Sequence, residues 1–264
     1  MKLAFSTLGC PDWELREIVA AARKWGYEGV ELRAVGGSLD LLGRAELGRG
    51  EFQDLEICCV DTSCVFHSPQ ASERAEHVNI ALAHAELAAK LGAPLIRVFP
   101  NKIQSGVQRE ETRDWIAACL REIAERMPDD VDVGLETHGD FARAECAAEI
   151  VALADHPKVK VIWDVANSVA AGDEIQAAAR VVQPYLAHVH LRDAKPVAGS
   201  ELWLPVLAGT GRVSFAEAVA ALRDLNYDGF VRFEWEKYWH PEIEEPEVAL
   251  PDFINAYRAA DKRG

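Results

Sequence analysis

The sequence predicts an α/β fold, a single closed (β/α)8 barrel of the TIM type, on three observations. Strand-like and helix-like segments alternate along the whole chain, no Ser/Gly, Pro, charged or low-complexity tract divides it, and 264 residues suit one such barrel. With 49% of its residues apolar the chain can fill one complete core, so residues 1–264 are read as one domain. An open doubly wound sheet is the alternative, but no glycine-rich turn follows the first strand, where a dinucleotide fold would place its phosphate loop.

Residues 2–6 read as the first strand, after which Asp12 is placed to cap a helix whose Leu15, Ile18, Val19 and Ala22 recur at helical spacing up to Trp25 and Gly26. Residues 29–33 form the second strand. Residues 38–55 are expected to be an irregular helix, weakened by Gly43, Gly48 and Gly50. The third strand lies within 57–66, Ser72 is placed to cap a long helix that Gly92 closes, and 95–99 is the fourth strand. A helix over 109–127 carries Ile116, Cys119, Leu120 and Ile123 on one face. Strands five to eight fall at 131–136, 159–164, 186–192 and 230–234. Helices over 146–154, 172–182 and 214–225 separate them, and a last helix covers 251–262.

The chemistry concentrates at four strand ends. In Ala187 to Asp193, alternation puts His188, His190 and Arg192 on one face and Val189 and Leu191 on the other. Taken alone, such a row is better served by hydrogen-bonded core histidines than by a ligand. Three further strands change that reading, because each runs apolar and stops at a carboxylate: Glu136, Asp164 and Glu234. In a barrel these ends are neighbours on the catalytic face, so Glu136, Asp164, His190 and Glu234 make an oxygen and nitrogen cage for one divalent ion. Such a set suits Mn²⁺, Mg²⁺ or Co²⁺ better than a thiolate-loving metal.

Composition narrows the partners. A formal charge of −15 repels phosphate backbones and argues against nucleic acid. The N-terminus enters a strand without the apolar run of a signal peptide or membrane span, so a cytoplasmic protein that does not engage membranes is expected. Cys58, Cys59, Cys64 and Cys119 sit in or beside apolar runs with no CxxC spacing, as core thiols do. Glu31, Arg97 and Arg232 should face into the barrel and pair there or reach the substrate. His77, His84 and His156 read as surface residues. The turn from Gly209 to Arg212 either receives a phosphate at the following helix or is only a tight turn. Glu236 is a second choice for catalysis, and the Glu236 and Lys237 pair could hold the loop through Trp239, His240 and Pro241.

The segments LETHGD (135–140), WDVAN (163–167), HVHLRD (188–193), GTGRVSF (209–215) and YDGFVRFEWE (227–236) resemble the xylose isomerase-like TIM barrel superfamily of sugar isomerases, ketose 3-epimerases and inosose dehydratases. The resemblance covers nearly the whole chain. It implies that Glu136, Asp164, His190 and Glu234 are metal ligands, the same four the strand ends select, and that Glu136 and Glu234 also move the proton. It departs at Asn167, where many members carry a histidine, so a substrate contact or a second metal ligand is altered.

The expected activity is thus a metal-dependent isomerase or epimerase of a ketose or related polyol, working through an enediolate. A lyase, dehydrating a keto-inositol or keto-sugar by the same proton abstraction, is the alternative. A nuclease akin to abasic-site endonucleases, with three zinc ions and His67 as a possible ligand, is more remote. The acidic charge, Asn167 and the lack of a histidine after Phe99 count against it. Substrate hydroxyls would meet Trp13, Arg33, Phe66, His67, His138, Asn167, His188, Arg192 and Trp239, each of which can alternatively be packing. The resemblance also admits a homo-oligomer.

Overall fold

The computed structural model describes residues 1–200 and 202–262. The strands are β1 (Lys2–Ser6), β2 (Gly29–Leu32), β3 (Glu56–Val65), β4 (Leu95–Phe99), β5 (Asp132–Glu136), β6 (Val159–Asp164), β7 (Leu186–Leu191), β8 (Asp193–Pro196), β9 (Trp203–Val206) and β10 (Phe230–Phe233). Eight of them close a parallel barrel in the order β1, β10, β7, β6, β5, β4, β3, β2, and β8 with β9 form an antiparallel ribbon beside it. The helices are α1 (Leu15–Trp25), α2 (Ala71–Leu91), α3 (Arg109–Arg126), α4 (Ala144–Ala154), α5 (Val165–Ala170), α6 (Ile175–Val182), α7 (Phe215–Asp224) and α8 (Pro246–Asp261). Among the described residues no helix is long and apolar enough to cross a membrane.

Five expectations are corrected. Residues 38–55 form a loop with only a 3-10 turn at Arg49–Phe52. Ser38 and Asp40 side chains take the backbone N–H groups of Asp40 and Gly43, which competes with helix, while Leu41, Leu47 and Phe52 anchor the loop in the core. The first helix is capped by Glu14, with Glu17 reaching back to its N–H, rather than by Asp12, and α2 begins after Gln70 rather than at a Ser72 cap. The last helix starts at Pro246 and carries Pro251 inside it. Burial of Ala249, Leu250, Phe253, Ile254 and Tyr257 along one face outweighs the roughly 3 kcal/mol that an interior proline costs. His84, expected at the surface, is only 8% exposed, its Nδ1 lying 2.9 Å from the Ile80 carbonyl.

Strand alternation divides the interior from the outer core. Val30, Leu32, Val98, Val133, Leu135, Val161, Trp163, Val189, Leu191, Val231 and Phe233 are buried on one set of strand positions. On the alternate set, Cys59, Leu95 and Ile162 form a small apolar cluster, and Gly134 makes room for it, since a Cβ there would lie 2.5 Å from Ile162 Cγ1. Further along the same strand faces stand Glu31, Asp61, Arg97, Glu136, Asp164, His190 and Arg232, all buried. They pair as buried charges must. Arg97 meets Asp61 at 3.3 Å and Glu136 at 3.0 Å, while Arg232 meets Glu31, and Asp61 at 3.3 Å. The pairing with opposite charges expected of Glu31, Arg97 and Arg232 is therefore present.

Candidate active site and metal centre

Four consecutive strands of the closed sheet bring the expected ligands together. Glu136 ends β5, Asp164 ends β6, His190 lies opposite both Asp164 and Arg232 in register, and Glu234 follows β10. One ligand atom from each of Glu136, Asp164, His190 and Glu234 lies within 4.8 Å of all the others. Asp164 also caps α5: its Oδ1 accepts the Asn167 backbone N–H at 2.8 Å, which leaves Oδ2 turned elsewhere. That Oδ2, 3.5 Å from the Arg192 guanidinium, and Nδ1 of His190, 3.5 Å from Glu136 Oε2, are buried without a hydrogen-bond partner. Leaving such atoms unsatisfied costs roughly 1–3 kcal/mol each, and both belong to the same four-residue cluster, so the donor set fits a divalent cation.

The histidine is prepared for that role. Burial, with Arg232 beside it, pushes His190 down to about 4, so the ring is neutral near pH 7. Its Nε2 lies 3.1 Å from Glu31 Oε2, the natural acceptor for an Nε2–H, which leaves the Nδ1 lone pair free. His188 Nε2 shares the same oxygen at 3.1 Å.

The two glutamates sit in unlike fields. Burial raises Glu136 to about 7, with the charge of Glu234 adding to it and Arg97 opposing. Burial also acts on Glu234, but Arg232 at 3.0 Å and Arg192 at 3.2 Å overcome it and hold that carboxylate well below the usual range. Asp164 is pushed well up by burial, a push that Arg192 opposes and Glu234 reinforces.

A cavity of about 300 Å³ opens above these groups and is lined by Glu136 and Glu234 together with Arg33, His138, Asn167, Arg192 and Trp239. His138 packs against the Phe99 ring at 4.7 Å, and its buried Nδ1 has no partner. Burial, with Arg97, pushes it down to about 4, so it meets a ligand as a neutral ring. Asn167 Oδ1 accepts from Arg192 at 3.1 Å and its Nδ2 donates to the Thr137 carbonyl at 3.1 Å, tying β5 to the arginine that orients Glu234. Trp239 is 53% exposed at the rim.

A family profile described as xylose isomerase-like TIM barrel matches residues 19–256. This chain belongs to the xylose isomerase-like TIM barrel family. Solved structures of similar fold include the IolI protein with a bound zinc atom, at TM-score 0.79 and 18% identity over 98% of this chain and 96% of that one. D-psicose 3-epimerase from Clostridium cellulolyticum H10, solved with D-tagatose, matches at TM-score 0.77 and 19% identity over 100% and 98%. The probable 3-DHS dehydratase AsbF from Bacillus anthracis matches at TM-score 0.75 and 19% identity over 98% of each chain. At such identities the likeness is one of fold.

Not every expected contact reaches the cavity of this xylose isomerase-like barrel. His188 faces the interior but is held beneath the cavity by Glu31. Trp13 stacks on Trp25 at 6.2 Å, and neither it nor His67 is among the lining residues. Phe66 is fully buried in the apolar core. The lining instead includes Leu8, Ser63, Arg97, Phe99, Glu236 and His240. Counting two residues on from Asp61 and from Arg97 would have found Ser63 and Phe99, whereas Leu8 lies in a 3-10 turn with no strand period. At the turn from Gly209 to Arg212 the Asp193 carboxylate accepts the Gly211 and Val213 N–H groups at 2.8 and 2.9 Å, so these two donors are already taken within the chain. Lys237 does hold the following loop, donating to the carbonyls of Pro241 and Ile243 at 2.8 and 2.6 Å.

Proposed function

We propose that this chain is a divalent-metal-dependent isomerase or epimerase that moves a carbon-bound proton of a ketose or related polyol through an enediolate. The observation that carries this reading is the convergence of Glu136, Asp164, His190 and Glu234 within 4.8 Å at a cavity that both glutamates line, with Asp164 Oδ2 and His190 Nδ1 buried without a hydrogen-bond partner. Glu136, Asp164, His190 and Glu234 would hold the ion, with Mn²⁺, Mg²⁺ or Co²⁺ suited to three carboxylates and one imidazole. When bound, the ion supplies positive charge that favours the oxyanion developing on the substrate.

Glu234, kept ionised by Arg192 and Arg232, is the base for the carbon next to the carbonyl. Glu136, which burial shifts upward where Glu234 is shifted downward, returns one to the opposite side, and the roles exchange in the reverse direction. His138 and Asn167 orient hydroxyls, and Trp239 shields the reacting carbons from water. The partner is a small sugar or polyol, and a cytoplasmic setting agrees with that.

The test is incubation with a panel of ketoses and keto-inositols in heavy water, followed by mass analysis. Turnover with one deuterium gained at an otherwise unchanged formula supports the proposal. Loss of the mass of water assigns a dehydratase, and turnover without deuterium removes the enediolate in favour of a hydride shift or hydrolysis.

A further inference from the structure

The cavity contains one arginine that the mechanism does not use. Arg33 follows β2, its backbone N–H donating to Thr7 Oγ1 at 2.8 Å, and its side chain lines the cavity while remaining only 6% exposed. Its guanidinium donates to Ser63 Oγ at 2.6 Å and more distantly, at 3.5 Å, to the Leu39 carbonyl. With two N–H groups so engaged, three of the usual five remain.

Among the described residues Arg33 forms no ion pair, in contrast to the other interior arginines. Arg97 holds Asp61 and Glu136, Arg192 holds Asp164, Glu234 and Glu236, and Arg232 holds Glu31, Asp61 and Glu234. A buried charge without a counter-ion in contact is unfavourable, and the like charge of Arg97 nearby makes it more so, an effect that the more distant Asp61 opposes only in part. That arrangement persists best where a ligand supplies the missing negative charge.

We infer that the substrate of this site carries a carboxylate and that Arg33, with Ser63 beside it, receives it. The inference rests on the proposed reading of the site and narrows its substrate to a polyhydroxy keto acid, carbonyl toward Glu136 and Glu234 and carboxylate toward Arg33. The planar guanidinium matches a carboxylate's two oxygens. A phosphate fits less well: a dianion would find one unpaired cation in a cavity already lined by Glu136, Glu234 and Glu236. A cavity of about 300 Å³ also suits a chain of a few carbons.

The experiment compares three small probes of equal carbon number, D-glycerate, glycerol and sn-glycerol 3-phosphate. Each is titrated calorimetrically into wild-type protein and into Arg33→Gln and Arg33→Lys, both after EDTA treatment and after loading with Mn²⁺. Wild type should bind glycerate at least about tenfold more tightly than glycerol, in line with a charge-assisted pair. Arg33→Gln should bring glycerate down to the affinity of glycerol, and Arg33→Lys should keep part of the preference. Arg33→Met replaces the Gln variant should that one fail to fold.

Absence of the glycerate preference in wild type, or its survival in Arg33→Gln, would overturn the inference. Tighter binding of the phosphate than of glycerate would overturn the choice of carboxylate. A merely structural Arg33 would lower the melting temperature on substitution and leave the probe ranking unchanged. Mn²⁺ titration of the wild type keeps the two readings apart. Failure to bind Mn²⁺ removes the metal centre, while the EDTA-treated series still decides for or against Arg33.

Discussion

Replacing Glu31 by Gln tests whether the buried layer beneath the candidate metal centre prepares the ligand above it. One oxygen of Glu31 lies 3.1 Å from Nε2 of both His188 and His190, and the same carboxylate pairs with Arg232. Glutamine keeps the size but removes the charge, and its amide can turn only one oxygen toward the two rings. With the Nε2–H of His190 less firmly held, metal affinity should fall about 10–100-fold, equivalent to roughly 1.4–2.7 kcal/mol. Stability should fall as well. Arg232 loses Glu31 but keeps Asp61 at 3.3 Å and Glu234 at 3.0 Å, so the cost should lie at the low end of the range for a broken buried pair, about 3 kcal/mol. At about 2–4 °C per kcal/mol, the melting temperature should drop by roughly 6–12 °C. Mn²⁺ titration followed by calorimetry or EPR measures the first effect, and circular dichroism melting the second. A fall in melting temperature with Mn²⁺ affinity unchanged within about twofold refutes the reasoning and leaves Glu31 as the counter-ion of Arg232 alone.

Three other outcomes follow from the same geometry. Glu136→Gln and Glu234→Gln should each lower turnover by roughly two to four powers of ten. Only the variant lacking the base should lose deuterium exchange into recovered substrate, and near wild-type rates in both would leave these residues as ligands only. Gly139→Ala should destabilise by about 1–3 kcal/mol, because Gly139 has φ +60° and a Cβ there would lie 2.5 Å from the Asn101 carbonyl oxygen, which is backbone and cannot swing away. An unchanged denaturant midpoint would contradict that close approach. Burial pushes the thiols of Cys64 and Cys119 up to about 11, so at pH 8 each should hold roughly a hundredfold or more less thiolate than an ordinary cysteine, and alkylation should accelerate as pH rises toward 11. Mass mapping of the native protein at pH 8 should find Cys146, the half-buried cysteine, labelled first, and faster labelling of Cys64 or Cys119 would show that the core opens.

The sequence by itself determined what strand periodicity carries. Eight apolar strand segments, the side on which each residue lies, and the carboxylate or imidazole at the end of four of them were legible because alternation is a local property of the backbone. The same periodicity placed Glu31, Arg97 and Arg232 inside the barrel, and burial of charge required partners for them. Tertiary structure decided depth and partnership. His138 and His188 each stand two residues from a ligand, but His138 continues past the end of β5 into the cavity, whereas His188 precedes His190 and descends onto Glu31. Trp13 could have walled the cavity, and only the position of α1 turns it onto Trp25. Residues 38–55 carry enough apolar side chains for a helix, yet Leu41, Leu47 and Phe52 find their burial without one, and side-chain caps then win over helical hydrogen bonds. The absence of an ion pair at Arg33 among the described residues is likewise invisible in the sequence, because a partner is defined by which distant strands the closed sheet brings within reach, and no local pattern records that distance.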